Sequence, residues 1–201
     1  MTADHRDPEG PDELEERRLA REHRARLTGE ALQRLRDRVP ARHRAAGHLH
    51  PGVAGWVARL SEPEPPNLAL VGPVGTGKSW QVWHAALLAV EHGLLGRVDV
   101  VGAEDFAART APADGNGHHQ SRAAMASARL LVLDDVGVNR SSAWFVESLY
   151  AVVNPRYDAL LPTVVTSNLA DLASVLGDRV ASRLAHNLVT VVLDGPDRRR
   201  A

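Results

Sequence analysis

The most informative segment of this chain is Gly72-Pro73-Val74-Gly75-Thr76-Gly77-Lys78-Ser79. It follows the pattern G-x-x-x-x-G-K-S, in which glycines let backbone N–H groups turn inward and surround phosphate oxygens. The apolar run Asn67–Val71 precedes it, and a helical stretch from Trp80 follows and ends at Gly93, a residue typical of a helix C-cap. Strand, glycine loop and helix therefore come in the order that the pattern requires. We predict a phosphate-binding loop (P-loop) at the positive end of that helix, rather than an ordinary glycine-rich turn.

Lys78 is the only lysine in the chain, and every other residue in the total of 24 lysines plus arginines is arginine. A P-loop lysine acts as a compact point charge on the β- and γ-phosphates, whereas the planar fork of arginine suits that role poorly. The hydroxyl of Ser79 is the matching ligand for Mg²⁺. The loop from Gly72 to Ser79 therefore predicts a site for ATP and Mg²⁺.

The composition of the 201 residues excludes several kinds of protein. Without cysteine there are no disulfides and no cysteine-based zinc site. No long apolar run occurs and residues 1–30 are charged, so we expect a cytoplasmic protein with neither a membrane partner nor a secretory signal. The formal net charge of −1 and the pI near 6.8 provide no bulk attraction for nucleic acid, so any such surface must be local.

Residues 1–39 form a charged arm. Residues 1–11 combine proline, glycine and charged residues and are predicted to be disordered. From Asp12 to Val39 apolar residues recur four apart, which predicts an amphipathic helix with a candidate break at Thr28-Gly29. The recurring positions are Leu27, Ala31, Leu35 and Val39. Such a helix is either a solvated element that packs weakly on the main domain or an arm that docks on a partner, and the sequence favours neither.

The remaining residues divide into a linker, 40–66, and an α/β domain, 67–201. The linker contains a predicted short helix, His50–Leu60, and a stiff proline-rich spacer, Glu62–Pro66. In the domain, apolar runs alternate with helical stretches, which predicts a parallel sheet flanked by helices. The strand candidates are Leu68–Val71, Val98–Val101, Leu130–Leu133, Thr163–Thr166 and Leu188–Leu193. The tail Asp197–Arg200 is expected to be frayed.

The third strand candidate is followed directly by two carboxylates, Asp134 and Asp135. Four apolar residues followed by acid form the Walker B pattern, a buried strand that ends in carboxylate. Asp134 is predicted to hold Mg²⁺, and Asp135 to orient and deprotonate the attacking water. Many ATPases of this type carry Glu at the second position, so the shorter Asp predicts slower turnover. The alternative, a strand followed by an Asp-rich turn, is weak beside a P-loop.

Two less specific motifs follow. The fourth strand candidate runs into Ser167 and Asn168, a polar pair that is also common in turns and helix caps. Arg179 and Arg183 are four residues apart and share one helix face. An arginine presented across a subunit boundary can neutralise charge on a neighbour's γ-phosphate. On spacing alone, a solvated stripe that pairs with carboxylates such as Asp178 is the better interpretation.

Taken in order, four motifs resemble those of the AAA+ ATPases of the DnaC-type helicase-loader and IstB-type transposition-helper group. They are GPVGTGKS at 72–79, LLVLDDVG at 130–137, VVTSNL at 164–169 and GDRVASRL at 177–184. The similarity covers about Pro40 to Asp194. It implies an α/β P-loop NTPase of the additional-strand type, with a five-stranded parallel sheet of order 5-1-4-3-2, flanked by helices, and ATP at its carboxyl edge. The C-terminal lid domain of most AAA+ proteins is expected to be absent.

The resemblance also assigns roles to side chains. Asn168 would hydrogen-bond the γ-phosphate or the attacking water. Arg183 would act as a finger on the γ-phosphate of a neighbouring subunit, with Arg179 as a supporting contact or as the finger itself. The expected catalytic residues are therefore Lys78, Asp135, Asn168 and Arg183. The active state would be a homo-oligomer, and a monomer would hydrolyse ATP slowly.

A DNA-binding surface is implied by the resemblance rather than by composition. In initiator-like AAA+ proteins, the helices between strands 2 and 3 line a groove for single-stranded DNA. Here that stretch is Glu104–Arg129, with Arg109, Arg122 and Arg129 as candidate phosphate contacts and a predicted mobile loop at Gly115–His119. The alternative is a polar loop flanked by solvated arginines.

Histidines and tryptophans give weaker signals. Some loaders carry a zinc-binding N-terminal domain, but this chain lacks the cysteines, and the three histidines between residues 43 and 50 are a poor substitute. Trp80 and Trp83 are predicted to pack in the core. Trp56 precedes the first strand, where related enzymes place adenine contacts, and is a candidate for that role.

The expected function is that of an ATP-binding and ATP-hydrolysing DNA replication protein, a replicative helicase loader that acts as an oligomer on single-stranded DNA. One alternative is a transposition helper ATPase that binds double-stranded DNA and a transposase. A second is a nucleotide-gated binding module with negligible hydrolysis, which Asp135 would suit. A third is a small-molecule P-loop kinase, which would need an arginine-rich lid and no residue like Asn168 or Arg183.

Overall fold

Five parallel strands form one sheet with helices on both faces. The computed structural model describes residues 11–111, 117–137, 143–169 and 171–197. Each strand begins and ends within one residue of the predicted position. The strands are β1 Asn67–Val71, β2 Val98–Gly102, β3 Leu130–Asp134, β4 Thr163–Ser167 and β5 Leu188–Val192.

The strand order is β2-β3-β4-β1-β5, and every neighbouring pair is parallel, which confirms the predicted order 5-1-4-3-2. The strands β1 to β4 are buried along nearly their whole length, as expected for a parallel sheet covered on both faces. Because the strands are parallel, β1, β3 and β4 end at the same edge of the sheet. The segments that carry the P-loop and the Walker B pattern therefore meet there.

Eight α-helices and two short 3₁₀-helices, Ala41–His43 and Arg59–Ser61, lie in the described part of the chain, and no helix there is long and apolar enough to cross a membrane. The third α-helix ends one residue earlier than predicted, because its C-cap is His92. Gly93, the residue after the cap, has a left-handed φ of 91° and its N–H donates to Val90 O. The helices are α1 Pro11–Arg38, α2 Pro51–Ala58, α3 Lys78–Glu91, α4 Ala103–Thr110, α5 Gly117–Ala126, α6 Ala143–Asp158, α7 Leu172–Leu176 and α8 Asp178–Ala185.

Several predictions concern residues outside the described ranges. These are the disorder of residues 1–10, part of the loop at 115–119, and the tail residues 198–200. Pro11, which was included in the disordered segment, begins α1, and Gly117–His119, which were included in the mobile loop, begin α5.

Two hydrophobic clusters cover the two faces of the sheet. One contains the end of α1 together with α2 and α3, with side chains such as Leu35, Trp56 and Val82. The other contains α4, α5, α6 and α8, with side chains such as Phe106 and Leu149. Each fully buried aliphatic or aromatic side chain contributes about 1.5–3 kcal/mol, so both clusters are needed to hold the sheet.

Helix α1 is one continuous helix of 28 residues, so the predicted break at Thr28-Gly29 is wrong. Nothing lies within 4 Å of a Cβ position at Gly29, so that glycine is exposed on a helix surface and costs only about 1 kcal/mol relative to alanine. Ion pairs run through the same region, with Arg26 3.4 Å and Arg34 3.8 Å from the carboxylate of Glu30. A continuous helix therefore has a lower free energy than a helix broken at Gly29.

The two halves of α1 have different surroundings. Near its C-terminus, Leu35 and Val39 are 4% and 3% exposed in the core cluster, so this end does not pack weakly. Near its N-terminus, Leu14 and Leu19 are 56% and 52% exposed. The C-terminal half of α1 is thus packed into the core cluster, whereas the N-terminal half leaves apolar side chains exposed to solvent.

The buried carboxylate of Asp99 ties α1 to the sheet. It lies 3.0 Å from Arg38, 2.8 Å from Arg97 and 3.6 Å from Arg109, residues of α1, the β2 approach and α4. Burial by itself raises the pKa of Asp99, but hydrogen bonds and charge from Arg97 and Arg38, with the charge of Arg109, hold that pKa below its ordinary value. The ion-pair cluster thus supplements the apolar docking of α1.

Residues 40–66 also contribute to the core. Val53, Trp56, Val57 and Leu60 are buried in the cluster that contains β1 and α3. Trp56 is 1% exposed and its indole N–H donates to Pro66 O at 2.7 Å, so the suggested adenine contact for Trp56 is wrong. The predicted short helix in this segment is present as α2. The division of the chain at residues 39 and 66 stays a prediction.

Arg156 fixes the start of β4 from inside the molecule. Its fully buried guanidinium donates to Ala128 O and Pro162 O at 2.6 Å each and to Thr163 Oγ1 at 3.0 Å. Burial lowers the pKa of Arg156 to about 10, and the charge of Asp99 acts in the opposite direction. These bonds connect α6 to the end of β4 that lies away from the P-loop.

Candidate nucleotide-binding site

The P-loop has the backbone that its glycines permit. Gly75 and Gly77 have φ values of 83° and 95°, in the left-handed region that favours glycine, and Gly77 is the N-cap of α3. The hydroxyl of Thr76 donates to Pro73 O at 2.9 Å and is buried beneath the loop. The loop therefore places backbone groups at the start of α3, where helix N–H groups and the helix dipole favour an anion.

Lys78 is the first residue of α3 and is only 8% exposed. Its ammonium donates to Gly72 O at 2.7 Å and to Pro73 O at 2.8 Å, so the charge is held inside the loop. The N–H groups of this ammonium that now bond to two carbonyl oxygens are the groups that could instead donate to phosphate oxygens. This arrangement is compatible with the predicted role of the lysine.

A cavity of about 700 Å³ opens beside the loop. Its wall includes Gly75, Lys78 and Ser79 from the P-loop, and Asp134 and Asp135 from the end of β3. This volume lies within the range of small-molecule pockets, roughly 300–1,000 Å³. We call this wall of the cavity the nucleotide edge.

The Walker B aspartates are joined to β4 by one hydroxyl. Thr166, which is fully buried, donates from Oγ1 to Asp134 Oδ1 at 2.6 Å. The backbone N–H of Asp135 donates to the same Oγ1 at 2.8 Å, and Asp135 has a φ of 59°. Sequence reasoning identified both aspartates but missed Thr166, because the bridge depends on which strands are neighbours.

The oxygen ligands at the nucleotide edge fit Mg²⁺. The hydroxyl of Ser79 and the carboxylate of Asp134 both line the cavity. The described residues contain no cluster of three or more His, Cys, Asp or Glu that would form a cage by itself. Magnesium commonly uses one or two protein oxygens and completes its shell with phosphates and water, so a sparse set is suitable.

Asn168 follows β4 but does not contribute to the described lining of the cavity. Its side chain is exposed, and its Oδ1 lies 3.9 Å from a Cβ position on Gly137, beyond the Walker B aspartates. The neighbouring Ser167 hydroxyl donates to Val136 O at 2.7 Å, which joins the segments after β3 and β4. Asn168 is therefore near the predicted place, and its role as a sensor stays a prediction.

Arg183 and Arg179 lie on a different surface, against α6. Arg183 donates to Asn154 Oδ1 at 2.6 Å and to the hydroxyl of Tyr150 at 2.8 Å, and the Arg179 guanidinium lies 3.9 Å from the centre of the Tyr150 ring. We call these four side chains the arginine face. Within the described residues, neither arginine forms an ion pair with Asp178 or another carboxylate. The interpretation of these arginines as a solvated stripe that pairs with carboxylates is therefore wrong.

A short segment before α2 forms another wall of the cavity. Trp80 donates from its indole N–H to Ala45 O at 2.9 Å, stacks on His84 at 3.9 Å between ring centres, and leaves room only for glycine at Gly47. Trp83 is buried as predicted, but Trp80 is partly exposed, so its assignment to the core is wrong. The small residues Ala45–Gly47 were the only sequence signal for this close contact.

The chain after β5 passes over the P-loop. A Cβ on Gly72 would overlap the backbone of Leu193, and a Cβ on Gly75 would overlap the carboxylate of Asp197 and lie 2.9 Å from its Cα. A carboxylate therefore lies against the loop that is predicted to hold phosphate. Nothing in the sequence pattern indicated this contact.

The candidate DNA contacts differ in their availability. Arg109 pairs with Asp99, and Arg122 donates to Thr110 O at 3.1 Å and to Ser148 Oγ at 2.9 Å. Arg129 is exposed. Two of the three arginines thus have structural partners, and the single-stranded DNA groove stays a prediction.

Comparison with known proteins supports the nucleotide site. Residues 60–199 match the family described as IstB-like ATP binding protein. DnaI is 18% identical over 81% of this chain and 95% of that chain, with a TM-score of 0.64, and the DnaC helicase loader is 23% identical over 77% and 100%, with a TM-score of 0.62. Both likenesses concern the fold alone.

A third solved structure, a DNA replication initiation factor, is 26% identical and covers 74% of this chain, with a TM-score of 0.59. The match covers 46% of that protein, so the chain spans about half of its length. No curated protein matches the chain. The family match covers well over half of the chain and agrees with the P-loop geometry and the sheet order. The chain therefore belongs to the family of IstB-like ATP binding proteins.

Proposed function

We propose that this chain is an ATPase that acts in DNA replication as a loader of the replicative helicase, and that it works as a homo-oligomer on single-stranded DNA. The observation that carries the proposal is the separation of two surfaces: the P-loop and the Walker B aspartates share one cavity, whereas Arg183 contacts α6 instead. Arg42 lines this cavity, but neither Arg179 nor Arg183 contributes to its described lining. This separation suits an enzyme whose site is completed by an arginine of a neighbouring copy.

ATP would bind with its phosphates on the backbone N–H groups of Gly72–Ser79. The ammonium of Lys78, now on two loop carbonyls, would turn its donors toward the β- and γ-phosphate oxygens. Ser79 and Asp134 would hold Mg²⁺, which when bound supplies neutralising charge for the phosphate oxygens. The cavity wall at the nucleotide edge contains all three residues.

Hydrolysis would use Asp135 as the general base. Its carboxylate would accept a proton from the water whose oxygen attacks the γ-phosphorus, and the bond to the bridging oxygen of ADP would break. Asn168 would hold that water or a γ-phosphate oxygen. Arg183, or Arg179 beside it, would reach the γ-phosphate of a neighbouring copy, so an isolated chain would turn over slowly.

A role in replication is supported by the relatives. One is described as a DNA replication initiation factor, another is the DnaC helicase loader, and a DnaA structure that is 25% identical is described as bound to AMPPCP and single-stranded DNA. The exposed half of α1, with Leu14 and Leu19 uncovered, would be the part that docks on the helicase. DNA would lie along the stretch from Glu104 to Arg129.

The family match favours a second candidate, a transposition helper ATPase. Such a protein would bind double-stranded DNA and a transposase. A nucleotide-gated module with negligible hydrolysis would have the same cavity but no arginine-dependent turnover.

The test is steady-state ATP hydrolysis at several protein concentrations, with and without single-stranded DNA, at one fixed low salt concentration. Specific activity that rises with protein concentration and with DNA, together with capture of the cognate helicase, is the expected result. Stimulation by double-stranded DNA only would favour the transposition helper, and tight ATP binding with no turnover would favour the nucleotide-gated module.

A further inference from the structure

We propose that Thr166 is a positioning residue for both Walker B aspartates, through a single hydroxyl that orients the Asp134 carboxylate and fixes the peptide of Asp135. This inference rests on the proposed nucleotide site. It adds a side chain from β4 to the residues that sequence motifs had assigned to the P-loop and to the end of β3.

The sheet register brings Thr166 beside the aspartates. Val165 of β4 is paired with Leu133 of β3, so the next residue in each strand, Thr166 and Asp134, are neighbours at the carboxyl edge. Thr166 is 0% exposed to solvent in the fold, yet it lines the cavity. Its hydroxyl is therefore held rigidly by the sheet and directed at the nucleotide edge.

The hydroxyl of Thr166 donates its single hydrogen bond to the carboxylate of Asp134. Thr166 Oγ1 donates to Asp134 Oδ1 at 2.6 Å, a short distance typical of a bond to an ionised oxygen. The bond restricts the rotation of the carboxylate and leaves Oδ2 to bind a cation or its water. A hydroxyl can do this without adding a positive charge that would compete with Mg²⁺.

The same oxygen accepts a bond from the next residue. Asp135 has a φ of 59°, a left-handed conformation that side chains other than glycine, asparagine and aspartate seldom adopt. Its N–H donates to Thr166 Oγ1 at 2.8 Å, so the strained peptide has a partner inside the sheet. The direction in which the Asp135 carboxylate leaves the backbone is thus fixed by Thr166, as expected for strain that is stored at a functional site.

A merely structural role for the hydroxyl predicts a different outcome from a positioning role. Valine has nearly the same shape as threonine, so Thr166→Val keeps the packing and removes only the two bonds. Serine restores the hydroxyl, so Thr166→Ser is the rescue variant. Thr163 lies at the other end of β4, where its hydroxyl accepts from Arg156 at 3.0 Å, and Thr163→Val is the matched control for the loss of a buried hydroxyl from the same strand.

The experiment measures binding of a fluorescent ATP analogue in EDTA and across a Mg²⁺ titration, together with turnover. For Thr166→Val we expect metal-free binding within twofold of wild type, a requirement for Mg²⁺ raised about tenfold or more, and turnover lowered by a similar factor. Thr166→Ser should recover most of both, and Thr163→Val should change neither. A Thr166→Val protein with the Mg²⁺ dependence and turnover of wild type would overturn the proposal.

A second readout separates failure of this inference from failure of the proposed function. Amide hydrogen exchange of Asp135, followed by NMR in the nucleotide-free protein, should be faster in Thr166→Val than in wild type and Thr166→Ser. If wild type shows no turnover, the proposed hydrolysis fails, and Mg²⁺-dependent binding and Asp135 exchange still decide the role of Thr166. Unchanged Asp135 exchange in Thr166→Val contradicts the positioning role whatever the activity.

Discussion

The nucleotide edge and the arginine face differ in whether their side chains lie in the nucleotide cavity of the same chain. At the nucleotide edge, the P-loop, Asp134 and Asp135 line one cavity of about 700 Å³. At the arginine face, Arg183 donates to Asn154 and Tyr150 and does not contribute to the described lining of that cavity. The groups suited to binding are collected by one edge of the sheet, and the group proposed to complete the chemistry is held elsewhere. Mutations should therefore separate binding from turnover.

The largest effect is expected at the nucleotide edge, from Lys78→Ala. The ammonium is the one compact cation of the loop and would make charge-assisted hydrogen bonds to phosphate, each worth about 1.5–3 kcal/mol. We expect ATP affinity to fall by about 100-fold or more in a fluorescence titration. Lys78→Arg keeps the charge but not the shape, and should restore little of the affinity. Affinity within threefold of wild type in Lys78→Ala would show that the nucleotide binds elsewhere.

At the arginine face, Arg183→Ala should leave ATP binding unchanged and lower DNA-stimulated turnover by about 10³-fold, the scale of an arginine finger in other NTPases. Any loss of thermal stability should be small beside the loss of turnover, because the hydrogen bonds of the guanidinium to Asn154 and Tyr150 lie at a partly exposed surface. Arg179→Ala is the matched variant on the same helix face and should have the smaller effect. Undiminished turnover in Arg183→Ala, or a larger loss in Arg179→Ala, would remove Arg183 from the assigned role.

Asp135 belongs to the nucleotide edge, but its substitution should affect only turnover. Asp135→Asn should lower turnover by about 10²-fold with ATP affinity retained, since general-base catalysis contributes about 10²–10⁴-fold. Asp135→Glu retains a carboxylate but is less suited to the left-handed φ of 59°, so its turnover should lie between those of Asp135→Asn and wild type. Normal turnover in Asp135→Asn would mean that another group accepts the proton.

The smallest effect is expected from the tail. The carboxylate of Asp197 lies against Gly75 and would repel phosphate, so Asp197→Ala should tighten ATP binding by up to about tenfold, or 1.4 kcal/mol. Asp194→Ala removes an exposed carboxylate from the same tail and is the control. Weaker binding in Asp197→Ala would show instead that the carboxylate supports the loop.

The sequence predicted the parts of the structure that depend on local pattern. The five strands and the P-loop helix that stops before Gly93 follow from apolar runs and glycine positions, whereas the strand order was implied only by the resemblance to known ATPases. Asp134 and Asp135 were identified because a run of apolar residues ends at them. The strand order apart, each signal lies within a short run of consecutive residues.

The remaining features depend on contacts between distant segments. The bridge from Thr166 to Asp134 requires the pairing of β3 with β4, and the contact of Trp80 with Ala45 requires the course of residues 40–50 over α3. The break predicted at Gly29 is wrong because the ion pair of Arg26 with Glu30 across it, together with the docking of the helix end, outweighs a cost of about 1 kcal/mol. None of these can be read from spacing alone.

The most direct test of the central claim, that a second copy completes the nucleotide edge, is a mixing experiment. Lys78→Ala retains Arg183 but cannot hold ATP, and Arg183→Ala holds ATP but lacks the arginine. Steady-state ATP hydrolysis is measured for each variant alone and for an equimolar mixture at the same total concentration, with single-stranded DNA present. The mixture is expected to hydrolyse ATP at a rate well above the sum of the rates of the two variants. Activity equal to that sum, while wild type is active under the same conditions, would contradict it.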